Sequence, residues 1–393
     1  MKNYKGIKIE IKPTAEQIEK INRTIGTGRF LYNFYIAYNK EIYEKEKRFV
    51  TGFEFSKYIN NVFIKENPDK SWIKDVSSKS NKQAIMNSEK AFKRFFNKIS
   101  SFPKFKKKSH NNQKCYFFKN NKTDFEFYRH KIKIPTLKFV RLKEYGYIPK
   151  NTNIKSATIS KEGDRYFLSL ILEIKKEIEK NSIQKNLQTK EGIGIDLGIK
   201  DFATCSDGQI FKNINKTLKV RKIEKKLKRE QRKKSRKYLS CKKMEKNLYE
   251  CKNFQKQKLV IAKLFFKLNC IRNDYINKVV NMLTKTKLKC ITIEDLKVSN
   301  MMKNRHLSKA ISQQKFYEFR TKLLNKCKEK NIELRIVSTF YPSSKLCSNC
   351  GHKKQDLKLK DRIYKCCDCG LEIDRDYNAS LNLRNSIEYT ILQ

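Results

Sequence analysis

Two pairs of cysteines near the C-terminus constrain this chain more than any other feature. Cys347-Ser348-Asn349-Cys350 and Cys366-Cys367-Asp368-Cys369 are knuckles, each spaced to turn two sulfurs toward one tetrahedral ion. Fifteen residues, Gly351 to Lys365, separate them, which fits the reach of a zinc ribbon. The expected ligands of one structural Zn²⁺ are Cys347, Cys350, Cys366 and Cys369. Cys367 could compete, but the adjacent pair Cys366-Cys367 cannot readily turn both sulfurs inward. His352 directly follows the first knuckle and ranks below the four thiolates. Asp374-Arg375-Asp376 comes at once after the knuckles, which suggests that the metal module serves a catalytic site.

The chain has 393 residues, enough for several domains and a substantial core. It carries 91 Lys+Arg against 40 Asp+Glu, a net charge of +51. Such a surplus opposes compaction unless a polyanion neutralises it, and phosphate backbones reward many cations at once. A membrane surface is the weaker reading. No apolar run approaches the ~20 residues of a spanning helix, and no segment resembles a signal peptide, so a cytoplasmic place in a prokaryotic cell is expected. Cys115, Cys205, Cys241, Cys251, Cys270, Cys290 and Cys327 are scattered singly, as small core hydrophobes would be.

Residues 5–11 alternate apolar and polar and predict a strand, and Thr14 to Gln17 predicts a capping box opening a helix. Helical periodicity then runs to about Asn97, its last helix keeping Ile85, Phe92, Phe95, Phe96 and Ile99 near one stripe. Beyond Phe102 to Lys108 the period changes to two, with strands at 131–134, 154–159 and 166–174. The strand at 5–11 is expected to join this later sheet, which leaves the helical block as an insertion. Asn181 to Lys190 reads as a linker. Strands follow at 193–197, 202–206, 290–294 and 334–338, with a helical tract from 217 to 288 and a helix at 313–330 striped by Phe316, Phe319, Leu323 and Cys327.

Three acids stand at the edges of these elements. Asp196 and Glu294 each close an apolar strand, and Asp376 precedes a helix from about Tyr377. A lone strand-end acid is ordinarily a cap or turn residue. Three acids gathered from distant segments would repel one another, and divalent cations relieve that repulsion. Oxygen ligands suit Mg²⁺, and a pair of such ions supports phosphodiester hydrolysis. Arg362 and Arg375 lie near this site in sequence and could steady a phosphate, although pairing with an acid is the commoner fate.

Gly194 to Lys200, Ile293 to Leu296, Phe340 to Lys345 with the knuckles, and Asp374 to Ser380 together resemble the TnpB family of transposon-encoded RNA-guided DNA endonucleases, relatives of the miniature type V CRISPR effectors. Ala91 to Phe96, Phe102 to Lys108 and Asn304 to Ser312 extend the likeness over nearly the whole chain. The resemblance implies a multidomain α+β fold: a β-barrel wedge domain (1–12 and 113–185) and an inserted helical recognition domain (13–112). It further implies an RNase H-like RuvC nuclease domain (190–340, with the helical tract 217–288, and 373–393) interrupted by a zinc ribbon (341–372). In it Asp196, Glu294 and Asp376 would hold catalytic Mg²⁺, with Asp374 a flanking acid not assigned to metal. A guide RNA and a target DNA are the implied partners, with cutting beside a short flanking motif. Alternatives are a compact CRISPR effector with a different guide source, and a non-cleaving regulator of the same family.

Two departures stand out: Gln313 where the family often has Asp, and Cys367 where Pro is common. Lys219 to Lys237 holds twelve basic residues against Glu224 and Glu230. Arg221, Arg229 and Arg232 in that run, with Arg94, Lys104, Lys106, Lys107 and Lys108, are the expected contacts to nucleic-acid phosphates. A solvated helix face is the bland alternative for the run.

Overall fold

A computed structural model describes residues 3–108, 113–118, 124–150, 152–174, 191–285, 288–358 and 361–392. The expected linker at 181–190 lies outside the described residues. The chain divides into two compact units, Met1–Gln184 and Lys185–Gln393.

In the first unit, β1 (Asn3–Lys12) leads into α1 (Ala15–Glu46), α2 (Gly52–Tyr58), α3 (Ile64–Glu66) and α4 (Ser78–Phe96). The capping box forms: the Thr14 hydroxyl accepts from the Gln17 amide while the Gln17 side chain accepts from the Thr14 amide. Five strands follow, β2 (Gln113–Phe118), β3 (Lys131–Ile134), β4 (Lys138–Leu142), β5 (Asn153–Glu162) and β6 (Arg165–Ile174). The sheet order is β2-β5-β6-β1-β4-β3, so β1 does join the later strands and the helices are inserted between β1 and β2, two strands of one sheet that are not neighbours in it. Its hydrogen-bond ladders end at β2 and β3, and among the described residues none closes it into a barrel. Period-two burial gives the sheet one apolar core, with Ile9, Ile132, Val140, Ile159, Leu168 and Leu170 among its members.

The helices hold a second core around Leu31, Tyr35, Phe55, Ile85 and Phe92. The expected stripe on α4 is shorter than its sequence pattern. The helix ends at Phe96, and Phe96 and Ile99 are exposed, because the chain leaves helical geometry at Lys98 with φ +56°.

The second unit contains β7 (Ile193–Leu197), β8 (Asp201–Cys205), β9 (Ile210–Lys212), α5 (Leu218–Lys243), α6 (Lys252–Leu283), β10 (Cys290–Glu294), α7 (Val298–Met301), α8 (Ser308–Gln314), α9 (Phe316–Lys330) and β11 (Glu333–Val337). After them come β12 (Ile363–Lys365), β13 (Glu372–Asp374), α10 (Arg375–Asn385) and β14 (Thr390–Ile391). The main sheet runs β14-β11-β10-β7-β8-β9, with β7, β10 and β11 parallel and the other pairs antiparallel.

The expected single helical tract over 217–288 is a hairpin instead. Val220 and Leu227 of α5 pack on Ile261 and Leu268 of α6, and burying those faces against each other requires the chain to fold back. The helix expected at 313–330 likewise breaks at Lys315, which takes φ +57° between α8 and α9. The stripe Phe316, Phe319, Leu323 and Cys327 is buried as its spacing predicts. No helix among the described residues is long and apolar enough to cross a membrane.

Candidate active site and metal centre

The alternation of β7 sorts its residues onto two faces. Ile193 and Ile195 enter the core with Val279 and Val280 of α6 and Phe316, Phe319 and Leu323 of α9. Gly194 and Asp196 therefore point to the opposite face, where α10 lies. A Cβ on Gly194 would sit 2.1 Å from the Ser380 carbonyl oxygen and 2.4 Å from the Arg384 nitrogen. Only glycine lets α10 approach the strand this closely. The glycine before Asp196 thus sets how near Asp376, in the first turn of α10, comes to the strand end.

β10 runs parallel to β7 in a register that pairs Ile293 with Ile195, so Glu294 and Asp196 end adjacent strands at the same edge. Thr292 and Glu294 share the face opposite Ile291 and Ile293, both of which are in the core. The structure therefore brings all three expected acids to one corner. Their electrostatics report it: burial first, then the charges of Asp376 and Glu294, push the Asp196 pKa up to about 7, with Arg375 pulling the other way. Burial, aided by Asp295, also raises the pKa of Glu294.

Among the described residues, no hydrogen bond or ion pair reaches the side chain of Asp196 or Glu294. Among the described residues, Asp196, Glu294 and Asp376 do not form a group whose ligand oxygens all lie within 4.8 Å of one another, so an ion held by all three would need the carboxylates to close in.

The neighbouring charges have definite roles. Asp374 is the N-cap of α10, its Oδ1 accepting from the amides of Asp376 and Tyr377 at 2.9 and 3.0 Å. Asp295 is ion-paired to Arg320 at 2.5 Å. Arg375 reaches Asp376 Oδ1 at 3.2 Å, and Arg362 lies 3.9 Å from Oδ2, so both arginines stand at the carboxylate. Gln313, the departure within α8, donates to the Glu224 carboxylate at 2.7 Å, which Arg272 also engages at 2.9 Å. An Asp at 313 would instead set two negative charges side by side.

The four expected thiolates also meet. Their Sγ atoms all lie within 4.8 Å of one another, with Cys347 to Cys369 and Cys350 to Cys366 each at 3.5 Å. A zinc tetrahedron with Zn–S of about 2.3 Å needs sulfurs about 3.8 Å apart, so this donor set fits Zn²⁺. Each knuckle ends in a left-handed glycine, Gly351 at φ +77° and Gly370 at φ +70°. Tyr364 on β12 is fully buried beneath the sulfurs with Leu371 and Ile373. Cys367 points away from the tetrad, to within 3.3 Å of His352 Nε2.

Of the expected nucleic-acid contacts, Arg221, Arg229 and Arg232 are exposed on α5, away from the buried Val220 and Leu227. Arg94, Lys104, Lys107 and Lys108 are exposed in the first unit. Lys106 is exposed as well but is engaged differently. Its ammonium sits 3.5 Å from the Tyr32 ring centroid, burial lowers its pKa, and its backbone is held by Asn33. Sequence spacing carried no signal for that contact with Tyr32, nor for the N-cap role of Asp374.

Three family models match the chain. One described as "Cas12f1-like, TNB domain" covers residues 316–383, and one described as "Probable transposase" covers 172–305. A third, described as "Helix-turn-helix domain", covers 1–48, where the structure has a strand and one continuous helix. The chain is 28% identical over 398 residues to "Putative RNA-guided DNA endonuclease InsQ" of Escherichia coli (strain K12), spanning 98% of this chain and 92% of that protein. It is 27% identical over 381 residues to "Putative RNA-guided DNA endonuclease" of Streptomyces pristinaespiralis, spanning 96% and 88%. Among solved structures, a Cas12f1–sgRNA–target DNA complex aligns over 98% of this chain and 99% of its own at 19% identity, with a TM-score of 0.34.

Proposed function

We propose that this chain, similar to RNA-guided DNA endonucleases and to a Cas12f1-like domain, is a TnpB-family RNA-guided DNA endonuclease whose hydrolytic centre is Asp196, Glu294 and Asp376. The observation that carries the proposal is the docking of α10 on Gly194, which brings Asp376 close enough to Asp196 to help raise its pKa to about 7. The sheet order β9-β8-β7-β10-β11, with three antiparallel strands followed by two parallel ones, supports an RNase H-like reading of the nuclease domain. Acids at the carboxyl ends of neighbouring parallel strands stand where open α/β sheets ordinarily bind ligands.

The three carboxylates would hold Mg²⁺, whose chemistry when bound is to activate a water and stabilise the leaving oxygen of the phosphodiester. Asp196 and Glu294 would hold the ions from fixed positions, because their strands are anchored in the core on the opposite face. Asp376 is delivered by a helix whose start is set by Asp374. Arg375 and Arg362, which stand at Asp376, could steady the scissile phosphate beside that carboxylate. Exposed arginines on α5 would follow the phosphate backbone, while pairing to the guide RNA selects the DNA sequence and the protein reads heteroduplex shape and a short flanking motif. The thiolate tetrad would hold a structural Zn²⁺.

The test is purification with co-expressed flanking RNA, followed by cleavage of a plasmid library with and without Mg²⁺. Cutting should require Mg²⁺ and RNA and should vanish in Asp196→Ala while RNA binding persists. An Asp196→Ala protein that cuts as well as the parent rejects the site.

A further inference from the structure

Cys367 has no place in the thiolate tetrad, and the structure gives it another partner. Its Sγ lies 3.3 Å from His352 Nε2, and the opposite ring nitrogen, Nδ1, lies 2.8 Å from Asp368 Oδ2. One ligand atom from each of these residues falls within 4.8 Å of the other two, in a group that shares no member with the tetrad. We propose that His352 and Cys367 form a second divalent-cation site, distinct from the tetrad, in which Asp368 orients the imidazole and zinc exchanges with solution.

The geometry favours a metal over a bare hydrogen bond. With the carboxylate of Asp368 at Nδ1, the ring donates there and leaves the Nε2 lone pair facing the sulfur. A thiol is a weak donor to that lone pair. A carboxylate–imidazole–metal arrangement is the usual way proteins fix the ligating nitrogen and raise its basicity. At Zn–N of about 2.0–2.1 Å and Zn–S of about 2.3 Å, a nitrogen–sulfur separation of 3.3 Å corresponds to an N–Zn–S angle of roughly 100°. That is near tetrahedral, so an ion can enter with little side-chain movement. As it enters, the thiol gives up its proton to solvent and the thiolate becomes the ligand.

Imidazole with thiolate selects zinc or cobalt rather than Mg²⁺. Cys367 and Asp368 are exposed, and His352 is partly so. Two coordination positions are therefore left to water, and the site binds more weakly than four thiolates.

The site is anchored without depending on its own side chains. The His352 carbonyl accepts from the Cys347 amide at 2.9 Å and from the Tyr364 hydroxyl at 3.3 Å. Replacing the imidazole leaves those bonds in place. Cys367 sits between Cys366 and Cys369, whose sulfurs turn inward, so the knuckle itself directs its sulfur outward.

The experiment uses the full chain, equilibrated by dialysis against a series of buffered free-zinc concentrations, with bound metal counted by mass spectrometry. With excess Mg²⁺ present to occupy the carboxylate corner, the parent should plateau at two zinc ions per chain. Cys367→Ser and His352→Gln should each plateau at one, and Asp368→Asn should reach two with the second ion bound about 10–100-fold more weakly. Cobalt substitution gives an independent readout: the second equivalent should add thiolate-to-cobalt absorbance in the parent and none in Cys367→Ser. A parent that never exceeds one ion overturns the proposal. So does a Cys367→Ser protein that still binds two. Should Cys367→Ser lose both ions, His352→Gln decides, and loss of both ions there as well rejects a site separate from the tetrad.

Discussion

Replacing Asp196 by Asn should make the protein more stable while abolishing cleavage. Asp196 has its pKa raised from 3.8 to about 7 by burial and by the charges of Asp376 and Glu294. A carboxyl with a raised folded pKa holds its proton longer in the folded state than in the unfolded chain. Without added Mg²⁺, stability is therefore fully retained below about pH 4 and falls as pH rises from about 4 through about 7. At ~1.4 kcal/mol per pKa unit, the penalty above pH 7 approaches about 4 kcal/mol. The amide of Asn carries no such charge, so Asp196→Asn should recover most of it at pH 8 and little at pH 4. For a cooperative unit of some 200 residues that is a rise in Tm of roughly 10 °C. The assay is thermal melting of parent and variant from pH 4 to 8 in buffer free of Mg²⁺, with the zinc ribbon left loaded. Mg²⁺ should then stabilise the parent at pH 8 and leave the variant nearly unchanged. A variant no more stable than the parent at pH 8, or a parent whose Tm is flat across this range, refutes the reasoning.

Three further outcomes are expected. Gly194→Ala should cost ~3 kcal/mol in denaturant melts and lower plasmid cleavage by about 100-fold or more, because α10 must lift from β7 and carry Asp376 with it. Asp374→Ala removes an N-cap worth ~1 kcal/mol and should slow cutting without ending it, whereas Asp376→Ala should end it; equal loss in both would make Asp374 a metal ligand. Changing Arg221, Arg229 and Arg232 together to Ala should weaken RNA binding and reduce the slope of log affinity against log salt by about 2 to 3, as filter binding over a salt series would read; an unchanged slope would return α5 to a solvated face.

Much of this arrangement was legible in local sequence because local physics decides it. The Thr14–Gln17 box, the alternation of β6 and the stripe on α9 each need only near neighbours in the chain, and each formed as its spacing predicts. The three acids were legible as candidates because each ends or begins an element. What sequence could not supply was distance across the fold. The fold-back between α5 and α6 carries no Gly or Pro over 244–251, and the mutual burial of Leu227 and Ile261 is a tertiary matter. The turn of Lys106 onto Tyr32 and the partnership of Cys367 with His352 likewise join residues that no periodicity links. Gly194 was visible as a glycine near an acid, but that a helix backbone needs its missing side chain is seen only once α10 is in place.

That close packing of α10 on β7 also dictates when the carboxylates can meet. During translation Asp196 and Glu294 leave the ribosome first, the four cysteines next, and Asp376 last. A nascent or stalled polypeptide ending before residue 376 would lack the third acid of the proposed centre and should not cut DNA, however completely its earlier strands had paired.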